Sequence, residues 1–316
     1  MVVEPPYGVI WNRLKAGKVV PFLGAGASFV GRPTEARWDP NRPTFLPSGR
    51  ELSNFLAKET SFPSEDPADR NDLAKVASYY VDLSGRRALR ERLRDVLNPK
   101  DPNNKYAPGE LHRFLATIPA HQVIVVTNYD TLLEQAFVEA GKPYDLVIYP
   151  ADRKDIANAV LWWPHGQREP VPVEPNNVSI DLANTTVIYK MHGTITEETD
   201  RWDNFVITEE DYVEFLSRMT ASTAVPHLFI DHFRERSFLF LGYSLRDWNL
   251  RVILKNKGKY FAVRRYLGPD EEPLPSWAIQ YEPPELEKTL WEKRNVSIFG
   301  ITIDEFVKKL KQCQEH

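Results

Sequence analysis

The chain is punctuated by short runs that are apolar at nearly every position: VVPFL at Val19–Leu23, QVIVV at 122–126, TVIYKM at 186–191 and SFLFL at Ser237–Leu241. A strand with one face in water alternates polar and apolar residues. An unbroken apolar run means that both faces are covered. Segments of helical period separate these runs. The pattern predicts an α/β fold: a doubly wound, mostly parallel sheet with helices on both faces. With 316 residues and 42% hydrophobic content, the chain can bury a sizeable core. It reads as a single domain over 1–316, with proline-rich insertions near 31–49, 164–180 and 268–288.

Local signals fill in the remaining elements. Residues 8–17 form a short amphipathic helix closed by Gly17. Ser48 and Glu51 have the spacing of a capping box, and Thr208 with Asp211 repeats it. Helices are expected over 72–97 (one or two), 111–118, 131–141, 227–235, 245–256 and 303–312. Shorter strands are expected at 145–149, 260–263 and 295–298. The stretch 31–49 reads as a long loop beside the site. Residues 164–180 read as an irregular insertion, and 268–288 as an exposed acidic excursion.

Several function classes are excluded. A net charge of −4 does not suit a broad nucleic-acid surface. The arginines at 86, 87, 90, 92 and 94 read as the solvated face of a helix. Cys313 is the only cysteine, so neither an intrachain disulfide nor a four-cysteine zinc site can form. No run approaches ~18 apolar residues, and residues 1–10 lack the features of a signal peptide, so a soluble cytoplasmic protein is expected. The chain has no G-x-x-x-x-G-K-[ST] loop, no G-x-S-x-G elbow and no histidine pair at metal-ligand spacing on a helix.

Four polar clusters each follow an apolar run. They are Gly24-Ala25-Gly26-Ala27-Ser28, Thr127-Asn128-Tyr129-Asp130, His192-Gly193 and Gly242-Tyr243-Ser244. In open α/β sheets ligands bind beyond the carboxyl ends of the strands. Each cluster also has a plain structural reading. The glycines serve either an anion or a tight turn. Asn128 or Asp130 caps the following helix, or meets a ligand. His192 is either a core histidine or a proton acceptor, and Ser244 with Asp247 forms a capping box or a ligand-binding turn.

Taken in this order, the clusters resemble the sirtuin superfamily over roughly residues 18–263. The resemblance implies a Rossmann-like, sirtuin-type sheet with NAD bound at its crest. The glycine turn would face the pyrophosphate, with Thr127, Asn128 and Asp130 at the nicotinamide ribose. His192 would work beside that ribose, with Gly193 next to it. Gly242, Tyr243 and Ser244 would contact the adenosine half. Two departures matter. Deacylase members carry a four-cysteine zinc module that this chain cannot build, and the glutamine of their Thr-Gln-Asn-Ile-Asp motif is missing here, where the stretch reads Val126-Thr127-Asn128-Tyr129-Asp130. Both make the chain similar to the bacterial sirtuin-like branch of anti-phage defence, whose members hydrolyse NAD⁺. In that branch NAD⁺ is the substrate and no other cofactor or metal is expected. The expected catalytic residues are Asn128, His192 and Asp130. The expected partners are a second copy of the chain and a separate activator such as a HerA-type ATPase, an Argonaute-like protein or a phage component. The alternatives are a non-catalytic NAD or ADP-ribose sensor, and a deacylase or ADP-ribosyltransferase.

Overall fold

A computed structural model describes residues 4–33, 35–99, 106–149, 159–196, 205–220, 225–243 and 274–314. Its strands are β1 (Val19–Leu23), β2 (Val123–Val126), β3 (Asp145–Ile148), β4 (Val160–Trp163), β5 (Val171–Val173), β6 (Val187–Lys190), β7 (Ser237–Leu241), β8 (Ser276–Gln280) and β9 (Val296–Gly300). They form one nine-stranded sheet in the order β5-β4-β3-β6-β2-β1-β7-β8-β9. All pairings from β3 to β9 are parallel, and β4 and β5 add an antiparallel edge. The expected doubly wound α/β sheet is therefore what the chain forms.

Alternate residues of the strands feed two cores. Val20, Phe22, Val125, Tyr189 and Phe240 lie in one. Val19, Leu23, Ile124, Ile188 and Leu241 lie in the other. The second core is closed by α1 (Tyr7–Lys15) and α6 (Glu110–Thr117), with further contributions from α7 (Leu132–Glu139) and α11 (Ile303–Gln314). Pro21 sits in a central strand yet breaks no bond of the β1–β2 ladder, because that ladder starts only at Phe22.

A third core lies over the carboxyl ends of the strands. Three helices build it: α2 (Gly49–Glu59), α4 (Leu73–Ser84) and α5 (Arg86–Leu97), with the short α3 (Pro67–Arg70) lying against α2 and α4 and burying no side chain of its own. The expected segment 72–97 is thus two helices, parted at Gly85. Arg86 docks this layer onto α8 (Glu209–Thr220) by donating to Asp211 Oδ2 (2.8 Å) and to the Phe205 carbonyl (2.6 Å). The remaining helices among the described residues are α9 (His227–Arg234) and α10 (Glu285–Glu292).

Two expectations are corrected. Residues 268–288 are not simply an exposed excursion: β8 lies within them with Trp277, Ala278 and Ile279 buried, and α10 begins at Glu285. Residues 164–180 hold β5, which pairs with the unexpected β4. Pairing creates these strands, β8 through β7 and β9 and β5 through its neighbour β4, and a short run flanked by prolines shows no such partner. The expected helix 245–256 and strand 260–263 lie outside the described residues.

The exits of β1 and β7 interlock backbone to backbone. Gly24 N donates to Leu241 O (3.1 Å) and Gly26 N to Gly242 O (2.8 Å). A Cβ on Gly26 would lie 2.7 Å from Gly242 Cα, and one on Gly242 would lie 2.2 Å from Ala27 N. Gly242 also has φ +64°, which disfavours any side chain. The glycines are therefore required by the approach of the two turns.

The loop 31–49 is pinned from one point. Arg32 grips Glu51 with two bonds (2.9 and 2.6 Å) and donates to the carbonyls of Ala36 and Leu46. Glu51 also accepts from Trp38 N, Ser48 N and Ser48 Oγ, each at 2.8 Å, so the expected capping box at Ser48 is present. Burial pushes the Glu51 carboxyl up. The bonds from Arg32, Trp38 and Ser48 outweigh it and bring the pKa from 4.5 down to about 2.

A pKa lowered by folding stabilises the fold above the unfolded value and loses that contribution as pH falls through the folded one. Between pH 4.5 and about 2 the wild-type denaturation midpoint should therefore fall more steeply than that of Glu51→Gln. Equal slopes would contradict the pinning. Gly242→Ala should lower stability by about 3 kcal/mol or more in chemical denaturation. A change within roughly 0.5 kcal/mol, the usual range for an unconstrained surface site, would contradict the interlock.

Candidate active site

The interlocked turns and the helical layer enclose a cavity of about 410 Å³ at the carboxyl edge of the sheet. From the strand ends come Gly24, Ala25, Gly26 and Ser28 after β1, Thr127, Asn128 and Asp130 after β2, His192 after β6, and Gly242 and Tyr243 after β7. The loop supplies Leu46 and Pro47, and the helical layer supplies Leu52, Leu73 and Leu97 as an apolar cover. Ala27 and Gly193 do not line the cavity. Ala27 is buried beneath the turn, and Gly193 bridges to Phe205. Ser244 lies outside the described residues.

The glycine turn leads into one short 3₁₀ turn, Ala25–Phe29, and no long helix starts at Ser28. Three of its amides are engaged: Gly24 with Leu241 O, Gly26 with Gly242 O and Ala27 with Gly24 O (2.9 Å). A helix macrodipole and a nest of free amides are therefore not what this turn offers an anion.

Asn128 is held from its amide end. Its Nδ2 donates to Gly24 O (3.0 Å) and to Ser28 Oγ (2.8 Å). A carbonyl oxygen can only accept, so the side chain is oriented with nitrogen toward Gly24. Both amide hydrogens are committed, and what Asn128 offers a ligand is Oδ1, an acceptor. Ser28 Oγ in turn donates to Asp130 Oδ2 (2.7 Å). Asp130 Oδ1 accepts from Leu132 N (3.1 Å) in the first turn of α7. Asp130 therefore does the capping, and Asn128 is free of that task. Asp130 is buried, and both its oxygens are bonded within the protein.

His192 is 4% exposed, and its ring stands edge-on against Phe215 (5.2 Å between centroids) and Tyr212 (5.9 Å). These contacts fix the plane of the imidazole. Its carbonyl accepts from Val206 N (3.0 Å), which anchors the strand exit.

Beneath the cavity lies a charged cluster that the strand-end motifs do not include. Lys190 of β6 is completely buried and reaches the Asp130 carbonyl and the carboxylate of Glu134 on α7. Burial pushes the Glu134 carboxyl above the usual range, and the Lys190 ammonium opposes that shift. Burial lowers the pKa of the nearby His112 imidazole, against the pull of Asp130. Its Nδ1 accepts from Gly109 N (3.1 Å) at the start of α6. The signal for Lys190 was a lone lysine inside an apolar strand.

A second cavity of about 580 Å³ adjoins the first. The two share Gly26, Phe29, Gly242 and Tyr243, and the second runs on past Gln280 and Glu282. Among the described residues no cluster of His, Cys, Asp or Glu is arranged to hold a metal ion, and no helix is long and apolar enough to cross a membrane.

The chain is 31% identical over 250 residues to the NAD(+) hydrolase ThsA of Acinetobacter baumannii, covering 78% of this chain and 40% of that protein. It is 29% identical over 212 residues to the NAD(+) hydrolase ThsA of Enterococcus faecium, covering 65% of this chain and 35% of that protein. The third relative is Defense-associated sirtuin 2 of Bacillus subtilis, 21% identical over 239 residues, covering 75% of this chain and 19% of that protein. The chain thus spans less than half the length of each of these relatives. The SIR2-like domain family matches residues 122–299, from the strand before Asn128 to the last strand of the sheet. That stretch is more than half of the chain, and with the nine-stranded sheet it makes this protein a member of the SIR2-like domain family.

Proposed function

We propose that the chain is the NAD⁺-cleaving unit of a defence protein, breaking the bond between nicotinamide and ribose and passing the ADP-ribosyl group to water. The observation that carries this reading is the convergence of Asn128 and His192 from neighbouring strands onto one cavity. The dinucleotide would lie with its nicotinamide ribose in that cavity. Its adenosine half would lie in the adjoining one, and the pyrophosphate would cross the turns that both cavities share. Together these volumes suit a ligand of that size.

In the reaction the C1′–N bond breaks with its electron pair leaving on the pyridinium, so nicotinamide departs neutral. The ribose carries oxocarbenium character, which an apolar cover shields from bulk solvent. Asn128 Oδ1 accepts a hydrogen bond from the attacking water or a ribose hydroxyl and holds it in line. His192 takes the proton that this group releases. The products are nicotinamide, ADP-ribose and a proton. Asp130 acts through Ser28, because its oxygens are already bonded, and so orients Asn128 without touching nicotinamide.

Unrestrained hydrolysis would exhaust the host's NAD⁺. The reading therefore includes gating, by self-association or by a separate activator such as a HerA-type ATPase, and abortive infection through NAD⁺ depletion in the cytoplasm. The one cysteine of the chain speaks against the zinc module of the deacylases.

The test is nicotinamide release from NAD⁺ by the purified protein, alone and in the presence of candidate triggers. His192→Ala should lower the rate by roughly 10²–10⁴-fold, the range for loss of a general base. Asn128→Ala should lower it by roughly 10²–10³-fold, as for loss of one preorganised polar contact. Full activity in either variant would contradict the assignment. Binding of NAD⁺ with no turnover in any assembly would favour a sensor.

A further inference from the structure

The strand that delivers His192 also carries a lysine into the core. A buried ammonium is tolerated only where its hydrogens find acceptors. Lys190 donates to the Asp130 main-chain carbonyl and has its counter-charge, Glu134 Oε1, at 3.2 Å. Asp130 is itself the anchor of a chain of directed bonds that runs upward into the cavity. Its Oδ2 accepts from Ser28 Oγ, and Ser28 Oγ accepts from Asn128 Nδ2.

We propose that Lys190 is a positioning residue of the active site: it fixes the Asp130 backbone, and through Asp130 and Ser28 it holds the Asn128 amide with Oδ1 toward the cavity. The proposal rests on the reading of Asn128 as the group that meets the substrate. The chain of bonds has only one sense. Ser28 has a single hydrogen, which goes to the carboxylate, so its oxygen must accept from Asn128. A flipped amide would set Oδ1 against the Gly24 carbonyl, acceptor facing acceptor. Stability alone does not call for Lys190 and Glu134, since apolar residues of similar volume often serve a core as well as a buried ion pair. What the ammonium adds is the bond to the Asp130 carbonyl.

The test uses protein labelled with ¹⁵N-asparagine, with the Asn128 side-chain signals identified by their loss in Asn128→Asp. In the wild type both amide hydrogens are bonded, so they should exchange slowly with solvent. In Lys190→Met they should shift and lose that protection. If the protein hydrolyses NAD⁺, kcat should also fall roughly hundredfold, as for an ångström-scale misplacement, with KM nearly unchanged. Glu134→Gln keeps the ammonium-to-carbonyl bond and should leave the Asn128 signals as in the wild type. A folded Lys190→Met with unchanged Asn128 signals overturns the proposal. So does an equal disturbance in Glu134→Gln, which would make the ion pair alone the cause. Ser28→Ala breaks the same chain outside the core and keeps the test open if Lys190→Met does not fold. Unchanged Asn128 signals in Ser28→Ala overturn it too. The signals are read without NAD⁺, so this arm stands apart from whether the chain is a hydrolase.

Discussion

The orientation of Asn128 at the crest of the sheet depends on one close contact between main chains, that of the turns after β1 and β7. Two neighbouring parallel strands end level with each other, with Leu23 opposite Leu241. Their exits then touch where no Cβ fits on Gly24, Gly26 or Gly242. The contact fixes the wall that both cavities share. It also holds the Gly24 carbonyl where Asn128 Nδ2 can reach it. The orientation of Asn128, and with it the acceptor turned to the cavity, follows from that carbonyl.

This arrangement changes what the glycine turn contributes. A phosphate-binding turn of the dehydrogenase type bares its amides at the start of a helix. Here three amides are engaged within the fold, and the element that follows is a single 3₁₀ turn. Below the cavity, Lys190 faces Glu134 as a buried ion pair. What Asn128 and His192 bring to the cavity is an acceptor and an imidazole. That set suits a ligand whose leaving group is cationic before the bond breaks and neutral afterwards.

The sheet was legible because parallel strands covered on both faces leave unbroken apolar runs, and five residues such as SFLFL cannot be mistaken for an amphipathic helix. The strand-end motifs were legible for a related reason, since each begins where such a run stops. β8 was hidden, because Ser276–Gln280 is a short run between acidic and proline-rich stretches and is made a strand by β7 and β9. β4 and β5 were hidden in the same way, each stabilised by an antiparallel neighbour. At the site, the sequence left open whether Asn128 or Asp130 caps α7. The answer lies in Ser28, about a hundred positions away, which takes one hydrogen bond from Asn128 and gives one to Asp130. No local pattern encodes a bond over that separation. Lys190 is a charge within an otherwise apolar run, and its partners on α7 and at Asp130 lie about 60 positions away, where no local pattern shows them.

On the proposed reading, NAD⁺ lies across the interlocked turns with its nicotinamide ribose between Asn128 and His192. The most direct measurement is a crystal structure of His192→Ala soaked with NAD⁺, in which hydrolysis should be slow enough to trap the substrate. Density is expected for the nicotinamide ribose against Asn128 Oδ1, and for the adenosine in the cavity beside Gln280. Dinucleotide density elsewhere on the molecule, with the cavity at Asn128 empty, would contradict it.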